Sequence, residues 1–310
     1  MKGVVIVDKP AGITSHDAVD RVRKLLGERK AGHTGTLDPM ATGVLPVCVG
    51  EATKIASFLT GDDKVYEATM RLGVRTDTLD MTGQVLAEQQ PRATEADVKA
   101  VLAAFVGTIT QVPPQYSAVK VRGKALYKWA RKGIRVEPPP REVQIREILL
   151  QGIELPRVRF TVTCSKGTYI RTLCADMGDR LGCGAALEQL RRTRSGIFRL
   201  QDAVRLDGES DDGIRARLEQ GLIPMNRALP GLRDIVIPPL LEQKLAKGHQ
   251  PDVEGLAALQ IPSLAAADVV KFISEEGRLV ALARMLISAG EIPSLPPGVQ
   301  AACILRVFNE

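Results

Sequence analysis

The chain has 310 residues, 45% apolar and 25% charged, an ordinary balance for a globular protein with room for one large domain or two unequal ones. No apolar run approaches the roughly 20 residues that span a bilayer, and MKGVVIVDKP has no small-residue cleavage site, so no membrane attachment and a cytoplasmic location are expected. Cys48, Cys164, Cys174, Cys183 and Cys303 form no C-x-x-C pair and the three histidines stand apart from them, which argues against a metal site or a disulfide framework.

In chain order, VVIV reads as a first strand. A helix follows from about Ser15 to Glu28, with Thr14 and Asp17 at capping-box spacing and Val19, Val22, Leu25 and Leu26 as its buried stripe. VLPVCVG reads as a strand and EATKIASFLT as a short helix. VYEATMRLG alternates, which places Tyr66, Ala68, Met70 and Leu72 on one face. TEADVKAVLAAFVG predicts a helix capped by Thr94 and Asp97, with Val98, Val101, Leu102, Phe105 and Val106 inward. RVRFTVTC alternates again, turning Val158, Phe160, Val162 and Cys164 inward. YIRTLCADMGDRLG returns to helical spacing. Strands at hairpin-like spacing mixed with helices predict an α+β fold, a mixed or antiparallel sheet with helices packed on it. No solenoid-length repeat is present.

The net charge of +6 is uneven. Residues 236–310 hold six Lys/Arg against eight Asp/Glu, a balance of −2, which leaves +8 for residues 1–235. Residues 117–147 hold nine basic side chains against three acidic ones, and LEQLRRTRSGIFRL carries Arg191, Arg192, Arg194 and Arg199 against Glu188. Such clusters suit a polyanion or a solvated basic face, and charge alone does not choose between them. The proline- and glycine-rich stretch LPGLRDIVIPP coincides with the loss of positive charge and predicts a domain boundary, giving units of 1–230 and 231–310.

GHTGTLDPMATGVLP, residues 32–46, concentrates turn formers around Asp38. It lacks the G-x-x-x-x-G-K-[ST] pattern of a nucleotide-phosphate loop. An aspartyl-phosphate enzyme would need its nucleophile two residues before the first threonine of TGT, where Gly32 stands. Two readings remain from chemistry alone: a plain Asp-Pro turn, or a carboxylate displayed on a loop stiffened by Pro39.

That loop resembles the catalytic loop of the tRNA pseudouridine synthase B family. DKPAGITSHDAV, VYEATMRLGVRTDTLDMTG, QVPPQYSAVKVRGKALYKWARKG, CSKGTYIRTL and LEQLRRTRSG resemble further blocks of that family, in order, over most of residues 3–200. Other pseudouridine synthase families typically carry the aspartate in an R-L-D run, and here Thr36 stands two residues before Asp38.

The resemblance implies isomerisation of the T-loop uridine of tRNA (position 55) to pseudouridine, with base flipping and no cofactor. It implies Asp38 as the catalytic carboxylate and nucleophile, beside a positive charge that develops at the sugar, with attack at the sugar and attack at the base ring both left open. It assigns Arg171 as the buried cation that keeps Asp38 ionised, Tyr66 as the ring against the target base, and Tyr169 and Leu190 as pocket walls. His33 is implied to fill the space the flipped base leaves, while Lys9 and Pro10 support the loop. Residues of about 120–147 resemble a thumb-like insertion that closes over the T-arm. There Lys120, Arg122, Lys124, Lys128, Arg131 and Lys132, together with Arg191 and Arg192, are expected at the RNA backbone. The family usually ends in a small PUA-type β domain, which residues 231–310 match loosely through KLAKGHQPDV and ILRVFNE. A monomer acting on tRNA without guide RNA or protein partner is expected.

Overall fold

The computed structural model describes residues 1–134 and 136–308, so Arg135 of the thumb-like stretch and the last two residues of ILRVFNE lie outside the described residues. Its centre is a ten-stranded mixed sheet. The path runs Val204–Arg205, Gly3–Lys9, Thr42–Val49, Ala185–Ser195, Lys64–Leu72, Arg157–Cys164, Arg141–Glu154 and Gly107–Gln111. Ala31–His33 adds to Thr42–Val49, and Phe198–Arg199 adds to Ala185–Ser195. Gly3–Lys9 is parallel to Val204–Arg205, and Thr42–Val49 is parallel to Ala185–Ser195; the remaining pairs are antiparallel.

The first strand shows why the sheet sits inside. Its apolar run feeds two cores, because successive side chains point to opposite faces. Val5 and Val7 join a core covered by Ala18, Val19 and Val22, Val98 and Leu102, Leu173 and Met177, and Ile214 and Leu218, from the helices Ser15–Leu25, Glu95–Ala104, Ile170–Arg180 and Asp211–Gln220. Val4 and Ile6 join a second core with Val44, Cys48, Ile55, Leu59 and Phe198. That second core also contains Ile273, Leu279, Leu282 and Phe308, so the C-terminal sheet is packed on the back of the large one. The C-terminal sheet has the order Arg233–Ile237, Val269–Ser274, Leu279–Met285, Ala302–Val307 and its own core around Phe272, Leu245 and Leu256. The α+β expectation is met.

Local signals hold with small shifts. Thr14/Asp17 and Thr94/Asp97 both form full capping boxes. The first helix stops at Leu25, and Gly27 follows in the left-handed region that ends helices. The predicted helix over 94–107 ends at Ala104, which leaves Val106 exposed rather than inward, because the chain turns at Gly107 into a strand. EATKIASFLT is a 3-10 turn over Gly50–Ile55 followed by one α-helical turn. In the thumb-like stretch, Lys120–Val121 pairs with Lys124–Ala125, and Arg122 and Gly123 both take positive φ, as a tight hairpin requires. The short helix Leu126–Ala130 follows.

Candidate active site

Asp38 lies on the loop between Ala31–His33 and Thr42–Val49. Several backbone bonds hold that loop. The Leu37 N–H donates to Ser15 Oγ at 2.8 Å, and the Ser15 hydroxyl donates back to the Leu37 carbonyl at 3.0 Å. The Ala41 N–H closes a turn onto the Asp38 carbonyl at 3.0 Å, and the Gly12 N–H donates to the Pro39 carbonyl at 2.9 Å. Lys9, fully buried, donates from Nζ to the carbonyls of Pro10 and Ile13, both at 2.8 Å, and of Pro39 at 3.3 Å. Burial pulls the Lys9 ammonium down to about 8, partly offset by the charge of Asp38. Lys9 and Pro10 thus brace the loop, with Pro10 contributing its carbonyl.

Arg171, in the first turn of the helix Ile170–Arg180, meets Asp38 as a fork. Nε donates to Oδ2 at 2.8 Å and Nη2 to Oδ1 at 3.0 Å. Bidentate charge-assisted pairs of this kind are strong and geometrically specific. The remaining edges of the guanidinium donate to the carbonyls of Thr78 at 3.0 Å and Tyr116 at 2.9 Å. Asp80 approaches Nη1 at 3.7 Å. The arginine is 3% exposed and the Asp38 side chain 29%, so the cation is sealed while the carboxylate keeps an open side. A ligand at that open side meets a carboxylate whose counter-ion is shut away from solvent.

Tyr66 is buried, with Arg192 opposite it on one neighbouring strand and Val162 on the other. Burial pushes its phenol up, and the Arg192 charge pulls the other way. Leu190, also buried, stands opposite Ala68, the next residue on the Tyr66 face. Tyr169 precedes Arg171 as the helix cap residue; its N–H donates to Gln111 Oε1 at 3.0 Å, and Gln111 Nε2 donates to its carbonyl at 3.2 Å. The Arg141 guanidinium sits 5.7 Å from the Tyr169 ring centre. His33 ends the strand before the loop. Its Nδ1 is buried with no hydrogen-bond partner among the described residues, and burial lowers its pKa, keeping the ring neutral near pH 7.

The basic residues divide. Lys120, Arg122, Lys124, Lys128, Arg131 and Lys132 are all exposed on the hairpin and short helix. Lys124 lies over the Trp129 ring and Arg131 over the Tyr127 ring. Arg191 is partly exposed and donates to Asp8 at 2.8 Å. Arg192, expected at an RNA backbone, is corrected by the structure. It is 1% exposed, donates from Nε to the Val44 carbonyl at 2.7 Å and from Nη2 to the Gly35 carbonyl at 3.0 Å, and has no surface to offer a phosphate.

Sequence reasoning misses Ser15, Asp80 and Gln111. Asp80 is buried and its carboxylate accepts from Thr78 Oγ1 at 2.8 Å and the Thr82 N–H at 3.0 Å. Its signal is the T-x-D-x-T pattern of TDTLDMTG, which suits an aspartate wrapped by its own threonines. Among the described residues no group of three or more His, Cys, Asp or Glu could hold a metal ion, and no helix is long and apolar enough to cross a membrane.

Comparison with known proteins finds relatives along the whole chain. The TruB family pseudouridylate synthase N-terminal domain matches residues 23–170, and the tRNA pseudouridylate synthase B C-terminal domain matches residues 171–230. The chain is 48% identical over 310 residues to tRNA pseudouridine synthase B of Syntrophus aciditrophicus, covering 100% of this chain and 99% of that protein. It is 45% identical over 285 residues to the protein of the same name from Geotalea uraniireducens, covering 92% of each. A chain in the crystal structure of a Cbf5-Nop10-Gar1 complex is 32% identical, with a TM-score of 0.74 over 99% of this chain and 85% of that one. Fold and relatives together define a pseudouridine synthase, an enzyme of the isomerase class. The chain belongs to the tRNA pseudouridine synthase B family.

Proposed function

We propose that this enzyme converts the T-loop uridine of tRNA (position 55) to pseudouridine, with Asp38 as the catalytic carboxylate and no cofactor. The observation that carries this reading is the Asp38–Arg171 fork, a sealed cation behind a carboxylate whose other side is open. In the reaction the bond from the sugar C1′ to N1 of uracil breaks, the base turns, and C1′ bonds to C5. The C5 proton leaves to solvent and N1 gains one. Asp38 meets the positive charge that develops at C1′ or traps it covalently. Tyr66 lies against the base and helps move the C5 proton, and Tyr169 and Leu190 wall the pocket. The base must first be flipped out of its loop, at a cost of a few kcal/mol. A neutral His33 fills the space it leaves.

The same reading divides the chain into a catalytic unit of 1–230 and a PUA-like unit of 231–310, and has the 120–147 thumb close over the T-arm. Support for the thumb comes from its six exposed cations on one short hairpin-helix segment. The thumb also favours a stand-alone enzyme over one that needs guide RNA and partner proteins, and the reading takes the enzyme as a monomer in the cytoplasm. The test is tritium release from a tRNA transcript labelled at uridine C5, incubated with the protein alone. Release from the intact transcript and not from one with a substituted T-loop uridine is expected. Release from both would move the target elsewhere, and none from either would end the stand-alone reading.

A further inference from the structure

Arg192 has an energetic problem that neither the fold nor RNA binding resolves. It is among the largest fully buried side chains, yet among the described residues it has no carboxylate within 4.0 Å. A buried cation without a counter-ion is costly, and hydrophobic residues of similar volume would serve the core better. What the guanidinium touches is specific. Its Nε holds the carbonyl of Val44 and its Nη2 the carbonyl of Gly35, the two residues that bracket positions 36–43 and therefore Asp38. The backbone of Arg192 pairs with Gly43 on one side and Tyr66 on the other. The approach at Gly43 is so close that a Cβ there would collide with the Arg192 carbonyl oxygen, and Gly43 takes a φ of +102°.

We propose that Arg192 is a positioning residue for the isomerisation. Its fork ties both ends of the Asp38 loop to the strand position facing Tyr66, which fixes the carboxylate and the phenol relative to each other. The proposal rests on the reading of Asp38 and Tyr66 given above. A lysine gathers its acceptors around a single nitrogen, as Lys9 does, and lacks the two separated, planar donors with which Arg192 holds Val44 and Gly35.

The test compares Arg192→Lys and Arg192→Met with the intact enzyme in single-turnover tRNA conversion, tRNA affinity across salt, and thermal unfolding. Arg192→Met keeps the apolar stem and removes the uncompensated charge, so it is expected to remain folded. Both variants should convert tRNA about a hundredfold more slowly, the cost of misplacing a reacting group by about 1 Å, with unchanged affinity and salt dependence. The loss should shrink when Tyr66 is already Phe, because the two residues act as a unit. An unchanged rate overturns the proposal, as does a salt slope reduced by about one, which would make Arg192 a phosphate contact. Failure of both variants to fold also overturns it, leaving Arg192 a residue of the core. If the intact enzyme converts no tRNA, the reading beneath the proposal fails instead.

Discussion

Arg171 holds Asp38 by two parallel hydrogen bonds across 133 residues of chain, from a helix end that Gln111 pins through the backbone of Tyr169. The arginine also donates to the Thr78 and Tyr116 carbonyls, so its orientation does not depend on Asp38 alone. Arg171→Met should therefore remove the counter-charge and leave those carbonyls unpaired. Conversion should fall by at least about a hundredfold, as when one preorganised charge partner is lost, while tRNA affinity changes little. Full activity of the Arg171→Met enzyme, measured by tritium release, would remove Arg171 from the mechanism.

Ser15 ties the first helix to the Asp38 loop through both hydrogen bonds to Leu37. Ser15→Ala leaves a buried N–H and carbonyl without that partner, which costs about 1–3 kcal/mol. Chemical denaturation should show this loss, and single-turnover conversion should slow with it. Unaltered stability would mean that the loop is held elsewhere.

The thumb cations are exposed, so their worth is electrostatic. Replacing Lys128 by Ala should weaken tRNA binding and reduce the slope of log affinity against log salt by about one. The same should hold for Lys120. A slope identical to that of the intact protein would take the thumb out of the RNA contact.

Asp176 offers a stability test away from the reaction. Burial, with the charge of Asp179 adding to it, pushes its carboxyl from 3.8 up to about 6. The folded state therefore binds this proton more tightly than the unfolded state. Its favourable contribution is complete below pH 3.8 and lost as pH rises through about 6. Asp176→Asn should raise the unfolding midpoint at neutral pH, with the gain fading as pH falls from 6 to 3.8. A gain that is constant with pH would show that Asp176 does not titrate in this window.

Much of the local structure is legible in the sequence. Both capping boxes and the inward faces of Lys64–Leu72 and Arg157–Cys164 follow from spacing alone. The pairing of Asp38 with Arg171 is long-range, and in the sequence only the family resemblance points to it. Arg192 misleads for a physical reason. Adjacent arginines suggest a solvated face, but in a strand neighbouring side chains point to opposite faces, and the sheet buries Arg192 while leaving Arg191 partly open. Asp80 escapes notice because its meaning arises only when Arg171, far along the chain, folds back upon it.

Whether Asp38 performs the chemistry or merely makes a turn is decided by Asp38→Asn, which keeps the side-chain shape and removes the charge. Its rate of tritium release is measured beside its tRNA affinity. A catalytic Asp38 requires near-normal binding with conversion reduced to background. Conversion at a substantial fraction of the normal rate would contradict that role and leave Asp38 a structural residue of the loop.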